Sequence, residues 1–443
     1  MQMPKITFIG GGSAKFVSEL VKDIFTYDAL RGSRICLMDV DPERLVNAKR
    51  IVERLIADLR LPASVETTVN QREAVLGADY VVVTIMVGGL KHYRSDSEIP
   101  MKYGVLPTVG DTIGPGGVFR LVRSAPVYWE LARDLRELAP KAWVLNYANP
   151  MAMNTWTLID AGHERAVGLC HSIQGCYRGI AGWLGIPPDE VRYTAAGINH
   201  INFYLTLEHQ GRDLYPELLA AQERILAEHP REAVRFELLR YLGYWPAEGT
   251  EHQSEYYPWF RKDQATADRY HSETMWGYRV DSTGNEVRRR QIEEQISGAK
   301  PIHYERGHEY GSGIINSLES GEPGFFYGNV RNDDLIENLP RGSVVEVPCH
   351  VDGNGVFPCR MGRIPTKLAA VMTPHIHVHD MALQGVKRKS RRMVREAIQA
   401  DPLTAAICTL PQIEAMVDEL FVENAAWVSD WPDERRLAAL GAR

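Results

Sequence analysis

The sequence predicts an α/β fold in which a doubly wound parallel sheet is followed by a mixed α+β domain. Short apolar strands alternate with amphipathic helical segments over about the first 150 residues, which is typical of a parallel sheet covered by helices on both faces. After about residue 170 the spacing becomes irregular. The length of 443 residues also favours more than one domain. We therefore expect one domain over residues 1–170 and a mixed domain over residues 171–443 that closes over it.

The elements of the first domain follow from the spacing of apolar residues. Residues 5–9 form an apolar strand that leads into a glycine-rich turn, and residues 16–25 repeat apolar side chains at helical spacing. Residues 34–38 predict a second strand. The β-branched segment 80–87 and the segment 143–146 predict two more strands, buried in the middle of the sheet.

The elements of the second domain are fewer and farther apart. Residues 166–170 and 193–200 have the pattern of strands, and residues 216–242 and 383–424 have the pattern of helices. Long segments rich in Gly, Pro, His and Tyr separate them. This composition is typical of a mixed α+β domain with functional loops.

Composition and charge exclude several classes of protein. Fifty Lys and Arg residues against 57 Asp and Glu give a net charge of -7, the wrong sign for a nucleic-acid binder. Apolar segments are shorter than the roughly 18 residues that a membrane span needs. The first residues leave no room for a signal peptide. Six scattered cysteines are typical of reduced thiols, so we expect a cytoplasmic protein.

The glycine-rich turn is the first candidate binding site. Gly10 and Gly12 occupy the first two positions of the G-x-G-x-x-G pattern, with Ser13 next to them, but Lys15 stands at the third. A turn without a ligand is the alternative. Asp39 favours a Rossmann-type NAD site, because a carboxylate at the end of the second strand can accept hydrogen bonds from the ribose hydroxyls. It also favours NAD over the 2′-phosphorylated form.

A cysteine and a histidine are candidate metal ligands. Cys170 ends one predicted strand and His200 ends the next, and thiolate and imidazole together can hold a borderline divalent ion. Two such residues 30 positions apart are more often core or hydrogen-bonding residues. Cys176 lies nearby, but its spacing from Cys170 matches no common zinc module.

Two further segments are rich in polar residues. Residues 110–117 predict a rigid polar loop, for which an ordinary surface turn is the alternative. Residues 251–259 combine acidic, imidazole and aromatic side chains, a mixture that suits sugar stacking and proton transfer. A polar interface patch would have the same composition.

Taken together, these motifs resemble the glycoside hydrolases of family 4, which are NAD- and divalent-metal-dependent glycosidases. The resemblance extends over nearly the whole chain, and the order of the motifs is more specific than any single one. The segments that carry it are the turn at Gly10 and residues 87–90, 99–104, 114–117, 146–150, 197–200, 338–340 and 345–348.

Within that family the sequence is most similar to the α-galactosidase (melibiase) branch. The run Cys170-His171-Ser172-Ile173 and the residues Val109-Gly110-Asp111-Thr112 resemble that branch. The α-glucosidase and α-galacturonidase branches also carry His after Cys, so Ser172 bears much of the distinction. An α-glucosidase or α-galacturonidase therefore remains an alternative.

The resemblance implies a fold of the lactate/malate dehydrogenase type and the cofactors NAD and Mn²⁺. It implies hydrolysis of terminal α-galactosides by oxidation at C3, metal-assisted elimination, addition of water and re-reduction, so that NAD is recycled. It also implies a homodimer or homotetramer that acts on a small-molecule α-galactoside, with no nucleic-acid or membrane partner.

The resemblance also implies roles for individual residues. It places the metal on Cys170 and His200, and it places the sugar hydroxyls near Asn149 and Asp111. His171 stands where phospho-sugar members carry an acid for the leaving group, although stacking on the substrate is an alternative role.

The base at C2 is expected in the 251–259 segment. Tyr256 is our choice there, with Tyr257 and Glu255 as rivals. A phenol has an ordinary pKa near 10, so Tyr256 would need a nearby metal or cation to ionise at neutral pH.

Two other classes of protein share the dinucleotide half. An NAD-dependent 2-hydroxyacid dehydrogenase would want a substrate-clamping Arg and a His–Asp pair, and would leave Cys170 and His200 without a role. A non-catalytic NAD-binding protein would need none of the Cys, His and Tyr residues.

Overall fold

The computed structural model describes residues 3–272, 276–277, 282–307 and 309–432. Its centre is one mixed sheet of twelve strands in the order β3-β2-β1-β4-β5-β6-β10-β11-β7-β8-β9, with β12 paired to β11. The predicted α/β fold class, a doubly wound parallel sheet followed by mixed structure, is confirmed.

The first six strands are parallel and form the doubly wound half. The strands are β1 (Lys5–Ile9), β2 (Arg34–Met38), β3 (Ser64–Thr68), β4 (Tyr80–Val83), β5 (Trp143–Asn146) and β6 (Ala166–Gly168). The helices between them are α1 (Ala14–Phe25), α2 (Pro42–Leu59), α3 (Gln71–Val75), α4 (Gly89–Lys102), α5 (Gly114–Leu138) and α6 (Met151–Asp160).

Helices cover both faces of this parallel half. Side chains of α1 and α2 pack with Ile6 and Phe8 on one face of β1, whereas α3, α5 and α6 pack with Ile9, Val81 and Val83 on the other. Burial on both faces explains why β1 and β4 are continuous apolar segments.

The second half extends the same sheet with antiparallel strands. The strands are β7 (Val191–Ile198), β8 (Ile201–His209), β9 (Arg212–Asp213), β10 (Gly324–Arg331), β11 (Val344–Asp352) and β12 (Gly355–Pro358). Asn329 of β10 pairs with Gly168 of β6, and Glu346 of β11 pairs with Gly197 of β7. The sheet therefore continues across residue 170, and the division into two domains there stays a prediction.

The remaining helices come from the second half of the chain. They are α7 (Ser172–Leu184), α8 (Tyr215–Ala220), α9 (Gln222–Glu228), α10 (Ala233–Leu242), α11 (Thr250–Tyr256), α12 (Gln264–Arg269), α13 (Ser282–Ser297), α14 (Tyr310–Ser320), α15 (Thr366–Lys387), α16 (Arg391–Gln399), α17 (Pro402–Ile407), α18 (Leu410–Glu423) and α19 (Ala425–Val428). Helices α15 to α18 pack on α4 and α5 to form a second core.

Some predicted elements are shorter than the sequence pattern indicates. The predicted strand 80–87 ends at Val83, and the predicted helices 216–242 and 383–424 are each divided into several helices. Proline at the first turn of α17 and α18 and a left-handed backbone at Lys389 explain the second division. Among the residues described, no helix is long and apolar enough to span a bilayer.

Candidate functional site

The glycine-rich turn lies at the carboxyl end of β1, where ligands of doubly wound sheets bind. The backbone N–H groups of Gly10 and Gly11 donate to the carbonyl oxygen of Met38, at 2.9 and 2.7 Å. Gly10 has φ 90°, and a Cβ on it would lie 2.9 Å from the carbonyl carbon of Thr84. The turn therefore requires glycine at this position, and it leads into the amino-terminal end of α1, where the N–H groups of a helix favour an anionic group.

Asp39 follows β2 and faces the same turn. It is buried, and its carboxylate accepts hydrogen bonds from the N–H groups of Gly12 at 3.0 Å and Asp41 at 3.1 Å. A Cβ on Gly12 would lie 2.5 Å from an oxygen of Asp39. Ser13 precedes α1, and Lys15 is half-exposed in its first turn. The structure thus brings together the four residues predicted to bind the dinucleotide.

Cys170, His200 and Glu248 bring their potential ligand atoms within 4.8 Å of one another. Cys170 follows β6, and His200 occupies the tight turn between β7 and β8 with φ 64°. Glu248 precedes α11, and its Oε2 lies 3.5 Å from His200 Nε2 and 4.0 Å from Cys170 Sγ. Glu248 is not among the metal ligands predicted from the sequence, where its one signal is an acidic residue close to the polar 251–259 segment.

A thiol, an imidazole and a carboxylate form a ligand set suited to a borderline divalent cation. Burial, with the charge of His252, lowers the pKa of His200 to about 4, so its imidazole is neutral and can donate a lone pair at pH 7. Burial also raises the pKa of the Cys170 thiol, and Glu248 adds to the effect. A cation bound here would stabilise the thiolate and offset this rise in the pKa of Cys170. The three residues therefore fit a divalent metal.

Tyr256 lies directly beside His200. Its hydroxyl oxygen is 3.0 Å from His200 Nδ1, and the Thr112 hydroxyl is 3.4 Å from the same nitrogen. Thr112 also donates to Asp111 at 2.8 Å. Burial, together with the charges of Glu255 and Asp111, raises the pKa of Tyr256 well above its ordinary value. The tyrosine is therefore protonated unless a positive charge approaches it.

The two rival residues in the 251–259 segment have different surroundings. The Glu255 carboxylate accepts hydrogen bonds from the backbone N–H groups of Thr108, Val109 and Gly110, at 2.8 to 3.3 Å. Tyr257 is buried, and its hydroxyl has no hydrogen-bond partner among the residues that the structure describes. Glu255 therefore fixes the backbone of residues 108–110. Of the three residues, only Tyr256 has its functional group within hydrogen-bonding distance of His200.

His252 adds a positive charge to this site. Its ring lies against that of His200, with centroids 4.2 Å apart, and its Nδ1 is 3.6 Å from Glu255. Although burial opposes protonation, the carboxylates of Glu255, Glu248 and Asp111 raise the pKa of His252 to about 9. The imidazole is consequently an imidazolium at neutral pH.

The segment 110–117 is not the surface turn that its composition allows as an alternative. Residues 107–125 are all buried, and the helix α5 already begins at Gly114, so the predicted loop is wrong over its second half. Glycine serves close packing here, because a Cβ on Gly117 would lie 2.5 Å from the carbonyl carbon of Thr112. The first half of the segment places Asp111 and Thr112 beside His200.

His171 and Asn149 lie at the edge of the site. The His171 side chain is 72% exposed, and its Nδ1 is 3.9 Å from an oxygen of Glu309. Asn149 is half-buried after β5. Both follow parallel strands at the same end of the sheet as Cys170.

Known protein families and relatives match this chain over most of its length. The family model described as family 4 glycosyl hydrolase matches residues 5–186, and that of its C-terminal domain matches residues 195–404. An alpha-galactosidase of Bacillus subtilis (strain 168) is 36% identical over 97% of this chain and 100% of its own length. An alpha-galactosidase of Rhizobium meliloti (strain 1021) is 35% identical over 96% of this chain and 89% of its own length.

A solved structure shares the fold at lower identity. It is a 6-phospho-alpha-glucosidase from gut microorganisms in complex with NAD and Mn²⁺, with a TM-score of 0.79 and 18% identity. The match covers 97% of this chain and 99% of that one.

Proposed function

The chain belongs to the family 4 glycosyl hydrolases, and we propose that within this family it is an NAD- and Mn²⁺-dependent α-galactosidase. The observation that carries the proposal is the likeness to two α-galactosidases, at 36% and 35% identity over nearly the full length. The sequence of residues 170–173 supports the same branch.

The dinucleotide site supports NAD as the cofactor. The turn at Gly10 and Gly12 leads directly into α1, and the amino-terminal N–H groups of a helix favour a pyrophosphate. The Asp39 carboxylate is held in place by two backbone N–H groups and can still accept from ribose hydroxyls. A 2′-phosphate would meet this negative charge, so we propose NAD and not its phosphorylated form.

The cluster of Cys170, His200 and Glu248 supports a divalent metal. When bound, NAD would exchange a hydride with the sugar, and the metal would act as a Lewis acid toward the sugar oxygens. The contribution of the protein is the neutral imidazole of His200, the thiol of Cys170 and the carboxylate of Glu248, held by three separate segments.

We propose that Tyr256 is the base at C2: a divalent cation held by Cys170, His200 and Glu248 would favour its phenolate, which would accept the C2 proton at the phenolate oxygen. Burial disfavours the phenolate. The His252 imidazolium lies next to His200, so a positive charge is already close. Thr112 and Asp111 would orient the sugar side of this cluster, together with Asn149.

We propose that His171 is the acid that protonates the leaving group. It is exposed at the rim of the site, and Glu309 lies beside it. An exposed imidazole next to a carboxylate can exchange a proton with a departing alkoxide without burying charge. We also propose that the protein is cytoplasmic, because a thiol ligand needs reducing conditions. The homodimer or homotetramer that the family resemblance implies is part of the same proposal.

The test is the cleavage of p-nitrophenyl α-galactoside compared with the α-glucoside and the α-galacturonide, in reducing buffer with NAD⁺ and Mn²⁺ each present or withheld. We expect galactoside cleavage that needs both additions and leaves no net NADH. Preferential cleavage of another glycoside would move the protein to another branch of the family. NADH accumulation without sugar release would instead indicate a dehydrogenase.

A further inference from the structure

The buried carboxyl group of Glu346 lies close to the strands that carry the candidate metal ligands. It has no part in the chemistry proposed above. Glu346 of β11 has no exposed surface. Its Oε1 accepts from Asn329 Nδ2 at 3.1 Å, and its Oε2 accepts from Asn202 Nδ2. Burial raises the pKa of Glu346 to about 8, a cost to folding that a purely packing role does not require.

The three residues lie beside two single-residue joints of the sheet: β10 to β6, where the parallel and antiparallel parts meet, and β11 to β7, within the antiparallel part. Glu346 pairs with Gly197 of β7, and Asn329 pairs with Gly168 of β6. Asn329 Nδ2 also contacts the carbonyl oxygen of Gly168 at 3.3 Å. The carboxyl group of Glu346 therefore connects β11 to β10 and β8, at the level of both joints.

The same joints carry the metal ligands. Cys170 follows Gly168 by two residues, and His200 lies between Gly197 and Asn202. Cys170 comes from the parallel part and His200 from the antiparallel hairpin, so their separation depends on how the two parts meet.

The backbone is closely packed at both joints. A Cβ on Gly168 would lie 2.6 Å from Thr155 Oγ1, and a Cβ on Gly197 would lie 2.3 Å from the carbonyl oxygen of Ile201. Close packing of this kind transmits a displacement of one strand to the next. A change in the hydrogen bonds between β8, β10 and β11 would therefore move the turn that holds His200.

We propose that Glu346 is a positioning residue that sets the separation of Cys170 and His200, and with it the affinity of the site for a divalent metal. The inference rests on the proposed function, because it assumes that these residues bind the metal. Partners of metal ligands typically change affinity by about 10–100-fold when they are removed.

The two asparagines determine which substitutions can be tolerated. Asn202 Oδ1 and Asn329 Oδ1 are both buried, and neither has a hydrogen-bond partner within the described part of the chain. With E346Q, rotation of one asparagine amide would let the glutamine accept from one asparagine and donate to the other. With E346L, both amide groups would lose the carboxyl oxygen as acceptor, and Asn329 Nδ2 would keep only the carbonyl oxygen of Gly168. E346D keeps the carboxyl group but is too short to reach both.

The experiment measures Co²⁺ binding to the metal-free full chain by the absorption band that a thiolate ligand gives to Co²⁺. We expect E346L and E346D to weaken Co²⁺ binding at least tenfold and E346Q to stay within about threefold of the wild type. The control is N332L. Asn332 is also buried and bonds three backbone carbonyls, but it lies in the connection between β10 and β11. N332L should lower the melting temperature and leave Co²⁺ affinity unchanged.

The outcomes separate this inference from the proposed function. Wild-type Co²⁺ affinity in E346D would overturn the positioning role even if E346L failed to fold. An equal loss in E346Q and E346L would overturn it as well, since the charge and not the hydrogen bonds would then matter. A wild-type chain without the thiolate band would refute the metal site itself, and this proposal with it.

Discussion

The Tyr256 hydroxyl offers the sharpest test of the proposed chemistry. The Y256F variant removes one oxygen from a side chain that is 1% exposed and keeps the ring that packs beside His200, His252 and His375. The fold should therefore tolerate the change, and the effect should be confined to the hydroxyl.

Two roles for this hydroxyl predict different magnitudes. If it only orients His200, its loss removes one hydrogen bond of 3.0 Å, and the Thr112 hydroxyl at 3.4 Å can replace part of it. That loss is about 1 kcal/mol, or about fivefold in metal affinity. If it is the base at C2, turnover at saturating metal should fall by about 10²–10⁴-fold.

The assay is steady-state cleavage of an α-galactoside at saturating Mn²⁺ and NAD⁺, together with a Co²⁺ titration. We expect the large loss of turnover, a small loss of Co²⁺ affinity, and an equally slowed appearance of deuterium from D₂O at C2 of the sugar. Y257F is the matched control, because the Tyr257 hydroxyl is equally buried but has no hydrogen-bond partner in the described structure. Turnover of Y256F within about tenfold of the wild type would refute the assignment of Tyr256 as the base.

Three further predictions follow from the same geometry. C170S should abolish metal-dependent turnover and leave NAD⁺ binding, measured by calorimetry, intact; full activity in this variant would remove Cys170 from the metal site. G12A places a Cβ 2.5 Å from the Asp39 carboxylate, so NAD⁺ affinity should fall at least about tenfold, whereas G182A, with open space around its Cβ, should not change it. Burial lowers the pKa of His379 to about 3, so the unfolded state takes up a proton that the folded state does not, and stability falls as the pH drops below about 6.5. At pH 5 this costs about 2 kcal/mol, which H379L should remove in urea unfolding compared between pH 7.5 and 5; an unchanged pH dependence would contradict the burial argument.

The parallel half could be predicted because each of its features is local in the sequence. The segments 5–9 and 143–146 are strands at the predicted bounds, since continuous apolar residues in this setting require burial on both faces. Asp39 also lies where the end of the second strand predicts it, against the glycine-rich turn.

The environment of the metal candidates could not be predicted in the same way. Glu248 and Glu346 are charged residues in sequence, and nothing local distinguishes their carboxyl groups from fully exposed ones. The burial of Glu346 depends on pairing between strands far apart in the chain, and Glu248 is partly buried in the connection before α11. The prediction of a loop over residues 110–117 fails for a related reason. Gly and Pro favour surface turns, but here the glycines allow the backbone of Gly116 to approach that of Gly110 in the interior.

The continuous sheet has a consequence for handling this protein as parts. A chain that stopped at residue 170 would leave β6, which is buried and apolar, as an open edge without its partner β10. Such an edge pairs readily with other chains and leads to aggregation. A chimera with a relative should for the same reason exchange β6, β10 and β11 as one block, although β6 is far from the other two in sequence. The smallest portion of this protein that can be produced or recombined is thus defined by which strands are neighbours in the sheet. A single boundary in the sequence cannot separate it from the rest.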